Sequence, residues 1–153
     1  MNPGEGDRLR ALLTRAEELA QLGSWEAVPA EDELVWSDNL YRIFGLEPGE
    51  TTPTVEYVLA QTHPEDRDRV SHAIRRLYET GQLDVLDYRI TRPNGDRRHV
   101  RATLAIIEHR DNRPYRALGT LQDLTDRRRA EREIAAHVAV AEALVKWEGL
   151  ESG

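Results

Sequence analysis

The stretch from residue 86 to residue 106 leaves the chain few choices. Leu86, Tyr88 and Ile90 alternate with Asp87, Arg89 and Thr91. A spacing of two puts the apolar side chains on one face of a strand and the polar ones on the other. Pro93-Asn94-Gly95-Asp96 follows, and Asn-Gly is the strongest short-range signal for a tight hairpin. Val100, Ala102, Leu104 and Ile106 then resume the alternation. Asp111-Asn112-Arg113-Pro114 turns the chain again. The next strand, Tyr115 to Leu124, is apolar on both faces near Leu118 to Leu121, as a central strand would be. An antiparallel hairpin with one apolar face must bury that face under something.

The first half of the chain offers the cover. Residues Asp7 to Leu22 read as a helix, with Leu9, Leu12, Leu13, Ala16, Leu19 and Ala20 at helical spacing; Asp7 suits the N-cap and Gly23 the stop. Trp25 and Ala27, then Leu34, Val35 and Trp36, form two short strands around Pro29-Ala30-Glu31-Asp32. A short helix begins at Ser37-Asp38, with Asp38 as cap, and ends at Gly45. Another spans Thr54 to Gln61 with Val55, Val58 and Leu59 inward. His63-Pro64-Glu65-Asp66 opens a helix that runs to Thr80, Pro64 at its first position and the two acids opposing its positive end. Its apolar stripe is Val70, Ala73, Ile74 and Leu77, and Gly81 ends it. After Thr125 or Asp126 a long helix follows, on which Ile134, Val138, Ala141, Val145 and Glu148 step by four and three.

Composition closes several routes. The chain has 153 residues, enough for one domain with helical extensions. It has no cysteine, which removes disulfides, thiolate catalysis and cysteine metal sites. A net charge of -7 argues against a nucleic-acid footprint, and Arg127-Arg128-Arg129 with Arg132 is a local cluster at a helix base. No apolar run approaches the ~20 residues of a membrane span, and the N-terminus lacks a secretory pattern. The expected location is the cytoplasm.

Two strands, a group of short helices, then three hairpin-linked strands is the element order of the PAS fold. The residues resemble that family in five places: Leu22-Gly23-Ser24-Trp25-Glu26, Trp36 through Leu46, His63-Pro64-Glu65-Asp66-Arg67, Tyr88-Arg89-Ile90 with Pro93-Asn94-Gly95, and Gly119 through Thr125 followed by Asp126-Arg127. His99 departs from the family, many members of which carry Trp there. The resemblance implies an α+β fold, a five-stranded antiparallel sheet with short helices on one face. The expected division is an N-terminal helix at 1–22, the PAS domain at 23–125, a C-terminal signalling helix at 126–148 and a tail at 149–153. Residues 138–153 are faintly similar to the entry helix of a GAF domain, so an output module is expected downstream.

PAS domains of this kind enclose a cavity between sheet and short helices. The expected lining here is Tyr41, Phe44, Val58, Ile74, Leu77, Tyr88, Ile90, Ala102, Leu104, Ile106 and Leu121; the same residues would also suit a filled core. The resemblance does not bring flavin with it. Photosensory relatives use a helix cysteine and amide side chains on the last strands, where this chain has no cysteine and carries Ile90, Ala102 and Leu121. Haem-binding relatives use a histidine on the long helix. His72 is on that helix, but it lies roughly 160° from Ile74 at ~100° per residue, and reads as a surface residue. No histidine or carboxylate pair has metal-ligand spacing on one face, so no metal site is expected.

Catalytic motifs are missing: there is no nucleophile elbow, P-loop or dinucleotide glycine pattern. Ser37 has no histidine partner in view, and Glu65 and Asp66 are better explained as helix-start residues. The family resemblance implies instead a non-enzymatic sensor of a bacterial signalling protein such as a two-component system, with a small apolar ligand and an output domain. The expected homodimer interface is Leu9, Leu12, Leu13, Ala16 and Leu19 with Ile134, Val138, Ala141 and Val145. Asp123, Leu124, Thr125 and Arg92 are the expected transmission residues, Asp123 meeting a basic side chain such as Arg92. Two alternatives stand: a ligand-free dimerising spacer, and a small enzyme built on a similar α+β cavity.

Overall fold

The structure, a computed structural model, describes residues 3–151. Two compact units divide it, the first ending at Asp123 and the second beginning at Leu124. The expected tail therefore differs from the structure: residues 149–151 remain helical, and 152–153 lie outside the described residues.

The first unit opens with α1 (Pro3–Leu19), β1 (Leu22–Val28), β2 (Glu33–Trp36), α2 (Asp38–Ile43), α3 (Val55–Gln61) and α4 (Arg67–Thr80). It closes with β3 (Asp84–Thr91), β4 (Arg97–Arg110) and β5 (Arg113–Asp123). The five strands form one antiparallel sheet in the order β2-β1-β5-β4-β3. β5 is thus central as expected, but only its Ala117–Leu121 face is buried, and Leu118 on the other is exposed. The chain's last strand sits between its first and its next to last, with Ala27 opposite Ala117 and Ala102 opposite Leu121. The β3–β4 turn carries Gly95 at φ 88°, and the β4–β5 turn places Asp111 and Asn112 at φ 53° and 61°. The latter pair is where Asn and Asp tolerate left-handed backbone.

One apolar face of the sheet meets α2, α3 and α4. Trp36, Leu40, Tyr41, Ile43, Phe44, Val70, Tyr88, Ile90, Val100, Ala102 and Leu121 form the main buried cluster. Ala73, Leu77, Leu104 and Ala117 form a second. Trp36 stacks on Phe44 at 4.8 Å between ring centres and meets Tyr41 edge-on at 5.2 Å, geometries that favour aromatic pairs beyond simple burial.

Several local expectations are corrected. The first helix ends at Leu19, not Leu22, because Gln21 turns left-handed at φ 53° and β1 begins at Leu22. Gly23 is a strand residue, not a helix stop: a Cβ there would stand 2.6 Å from Leu40 Cα, so its role is to let α2 approach β1. Ser37, not Asp38, caps α2, its hydroxyl accepting from the Leu40 N–H. It is also bonded by the Ser24 N–H at 3.0 Å, which joins the helix start to β1. Thr54 caps α3 by accepting from the Tyr57 N–H, and Val55, expected inward, is exposed. Residues Pro64–Asp66 form a 3-10 turn ahead of α4. The His63 ring nitrogen accepts from the Glu65 N–H at 3.1 Å, fixing that turn.

The second unit holds α5 (Thr125–Glu151), whose first turns contain an Arg127–Glu131 pair at 3.3 Å. No helix among the described residues is long and apolar enough to cross a membrane.

The close approach at Gly23 gives a direct test. Gly23→Ala forces a methyl against α2 backbone and is expected to lower unfolding free energy by about 1–3 kcal/mol. Urea denaturation followed by circular dichroism measures it; an unchanged midpoint would show that α2 yields freely.

Candidate functional site

The short helices do not fill the space over the sheet. A cavity of about 310 Å³ remains between them, inside the range of small-molecule sites. Trp25 and Ala27 of β1, Leu34 and Trp36 of β2, and Leu121 of β5 form one part of its wall. Leu86 and Tyr88 of β3 with Ala102 and Leu104 of β4 form another. Leu40, Phe44, Val58, Val70, Ile74 and Leu77 close it from the helices.

Eight of the expected lining residues are in this wall: Phe44, Val58, Ile74, Leu77, Tyr88, Ala102, Leu104 and Leu121. Tyr41, Ile90 and Ile106 are not, and this corrects the expectation. Ile90 is wholly buried within the main cluster. Tyr41 presents its ring to Trp36. Ile106 packs with Ala73, Leu77, Leu104 and Ala117, beside a register shift in β4.

The sequence reading missed Trp25, Trp36, Leu34 and Leu86 as wall residues. Leu86 alternates with Tyr88, so its face was readable. Trp25 was not, because its place depends on a glycine far along the chain. Trp25 pairs with Gly119 across β1 and β5, and a Cβ on Gly119 would lie 2.1 Å from Trp25 Cε2. The indole therefore occupies the space over the bare backbone of the central strand, and the missing side chain is what makes room for it.

The polar groups of the wall are sparse. Tyr88 is the deepest, and burial pushes its hydroxyl well above the ordinary phenol range. Tyr78 is shifted the same way by burial. Asp32, Glu33, Thr54 and Glu56 belong to the wall where it meets solvent. His72 is exposed on α4. Of the positions where photosensory relatives hold flavin with amide side chains, Ala102 and Leu121 face the cavity and Ile90 lies in the core. None can hydrogen-bond a flavin ring, so the residues present do not fit that cofactor. Among the described residues no group of three or more histidine or carboxylate side chains could hold a metal ion.

Two ion-pair centres, outside the cavity wall, tie neighbouring elements together. Asp66 is buried and accepts from the Arg89 guanidinium at 2.9 Å and from the Arg89 backbone N–H at 2.9 Å. Arg89 also reaches Glu65 at 3.1 Å. The expected cap role for Asp66 is thus corrected: its carboxylate makes no cap bond to α4 and instead ties the helix start to β3. Asp123, the last residue of β5, meets Arg98 at 2.8 Å and Arg92 at 3.8 Å. Arg98 is the nearer partner, one that the sequence reading did not name. Arg92 also donates to the Ile43 carbonyl at 3.0 Å, linking the β3–β4 turn to the end of α2. Leu124 and Thr125 belong to the second unit, Thr125 opening α5. Leu9, Leu12, Leu13, Ala16 and Leu19 on α1 are exposed, as are Ile134, Val138, Ala141 and Val145 on α5.

Comparison with known proteins agrees with this architecture. The family model described as the PAS fold matches residues 33–121, more than half of the chain. The chain belongs to the PAS fold family. Among solved structures it is similar to an RNA-binding light-oxygen-voltage receptor (28% identity, TM-score 0.63), covering 78% of this chain and 35% of that one. It thus spans about a third of that receptor's length. It is also similar to a sensory box histidine kinase/response regulator from Burkholderia thailandensis, at 25% identity and TM-score 0.65, covering 86% of this chain and 98% of the other. At 18% identity, the N-terminal domain of a diguanylate cyclase with PAS/PAC sensor from Marinobacter aquaeolei shares the fold, with TM-score 0.63 and coverage of 70% and 98%. No curated protein matches by sequence.

The Asp66–Arg89 tie has a pH signature. Arg89 hydrogen bonds hold the Asp66 carboxyl far below the usual carboxylate range, against the opposing effect of burial. A depressed folded pKa contributes stability that is complete above the unfolded value, about 4, and is lost as pH falls toward the folded one. Asp66→Asn is therefore expected to flatten the loss of stability below about pH 4 and to weaken the fold at pH 7. Urea titrations of both proteins across pH 2–7 decide this. Parallel curves would mean that the tie adds nothing to acid sensitivity.

Proposed function

We propose that the chain is a PAS sensory module of a bacterial signalling protein, binding a small, mostly apolar molecule in the 310 Å³ cavity and passing the change to an output domain. The observation that carries this is the cavity itself, lined on both sides by apolar side chains, with the small residues Ala27 and Ala102 in its wall. Membership of the PAS family and the sensor proteins among the solved relatives support it. The chain carries no catalytic apparatus in this reading. A cavity enzyme would need convergent acid, base or nucleophile groups, and away from the exposed acids the wall offers two phenols, Tyr78 and Tyr88, and two indoles among hydrocarbon.

Transmission would run along β5. Leu121 faces the cavity, and two residues later Asp123 is held by Arg98 and Arg92 before the chain enters α5. A ligand that prefers one arrangement of the sheet's inner face shifts that equilibrium and the strain on the β5 terminus. The module would act in the cytoplasm as a homodimer. The exposed leucines of α1 and the apolar positions of α5 supply surfaces for pairing.

Occupancy is testable without knowing the natural ligand. A library of small apolar compounds, read by thermal shift, should yield stabilising binders; at one hundred times Kd a binder adds about 2.7 kcal/mol. Ala102→Leu, which fills the cavity floor, should abolish those shifts while the protein stays folded by circular dichroism. Compounds that stabilise wild type and Ala102→Leu equally would place binding elsewhere, and a library with no binder would favour a spacer role. Light scattering at high micromolar concentration should report a dimer; a monomer there defeats the pairing.

A further inference from the structure

The few polar groups of the cavity are unevenly placed, and their placement specifies a class of molecule; the inference rests on the ligand-binding reading above. Tyr88 is 7% exposed and stands in the cavity wall. Among the described residues its hydroxyl has no hydrogen-bond partner, and burial alone accounts for its raised pKa. Yet no fully enclosed side-chain nitrogen or oxygen of the described residues lacks a partner. The hydroxyl is therefore not sealed against hydrocarbon, and its open side is the cavity. A neutral phenol so placed offers one O–H donor from the buried wall, whereas Tyr78, the other phenol of the lining, is only half-buried. Buried phenols ordinarily find a partner within the protein; here the bond is left for what enters.

The solvent end of the cavity has the opposite character. Asp32, Glu33 and Glu56 are exposed wall residues, and among the described residues no lysine, arginine or histidine lines the cavity. An anion approaching this mouth meets like charge and finds no cation inside to offset the loss of its hydration. A neutral molecule meets neither obstacle.

We propose that the cavity selects a small, neutral, largely apolar molecule with one hydrogen-bond acceptor, which takes the Tyr88 O–H bond at the buried end, and that the acidic mouth rejects anionic analogues.

Three probes of similar size separate the parts: acetophenone with a carbonyl acceptor, ethylbenzene without one, and benzoate with a charge. Chemical-shift titration of the isotope-labelled chain gives each Kd. Wild type should bind acetophenone about fivefold more tightly than ethylbenzene, the order of one neutral hydrogen bond, and benzoate at least tenfold more weakly than acetophenone. Tyr88→Phe keeps the ring and its packing, so ethylbenzene affinity should hold while the acetophenone preference disappears. The double variant Glu33→Gln with Glu56→Gln changes only exposed side chains and should strengthen benzoate binding, whether or not Tyr88→Phe folds. A preference for acetophenone that survives in Tyr88→Phe, or benzoate binding as tight as acetophenone in wild type, overturns this proposal and leaves the ligand-binding reading standing. Failure of all three probes at millimolar concentration overturns both.

Discussion

The pairing of β5 between β1 and β4 is the constraint that everything else follows. It joins residues nearly a hundred positions apart, Trp25 with Gly119 and Ala27 with Ala117. Such long-range pairing carries the loop-closure cost of the whole intervening chain, so it holds only if the face it creates is buried well. Yet its centre is built from small residues, Ala27, Ala102, Ala117 and Gly119. Large side chains stand around that centre, on β2, β3 and the helices. The aromatic stack of Trp36 and Phe44 and the stripe of α4 span the gap without filling it. The cavity lies where Ala27 and Ala102 of the middle strands face the helices, with Trp25, Leu104 and Leu121 beside them.

Much of this was readable from residue order. The alternation through Leu86, Tyr88 and Ile90, the Asn94-Gly95 turn and the two-faced apolar character near Leu118 to Leu121 fix the hairpins and the central strand, because strand periodicity and turn chemistry are local. Most of the cavity wall followed from the same alternation. What did not follow depends on contacts across the fold. Gly23 looks like any helix terminator, and only the approach of Leu40 shows why a side chain is forbidden there. Trp25 could be placed on a strand but not over Gly119. Tyr41, Ile90 and Ile106 share the period of the wall residues but meet other side chains before they reach the cavity.

Charged residues were the hardest to place. Asp66 beside Glu65 in a helix-opening segment invites a capping role, and sequence proximity gives no sign that Arg89, 23 residues on, claims the carboxylate. Asp123 was assigned to Arg92, but Arg98 comes closer because the β4 register places it beside the end of β5. In both cases a buried carboxylate is matched by a guanidinium arriving from a strand, the arrangement that makes burial of charge tolerable.

The Asp66 contact also bears on how the protein keeps to itself. β3 is the last strand of the sheet, and an uncovered outer strand offers its amides and carbonyls to any neighbouring chain. Here the Arg89 N–H is taken by Asp66, the Arg89 carbonyl accepts from the His63 N–H at 2.8 Å, and Thr62 bridges to Ile90. The segment between α3 and α4 thus acts as a hem on the Arg89–Ile90 end of that border. The opposite border, β2, is only four residues long. At that end of β3, and along so short a β2, the sheet offers little edge on which to recruit another copy strand to strand.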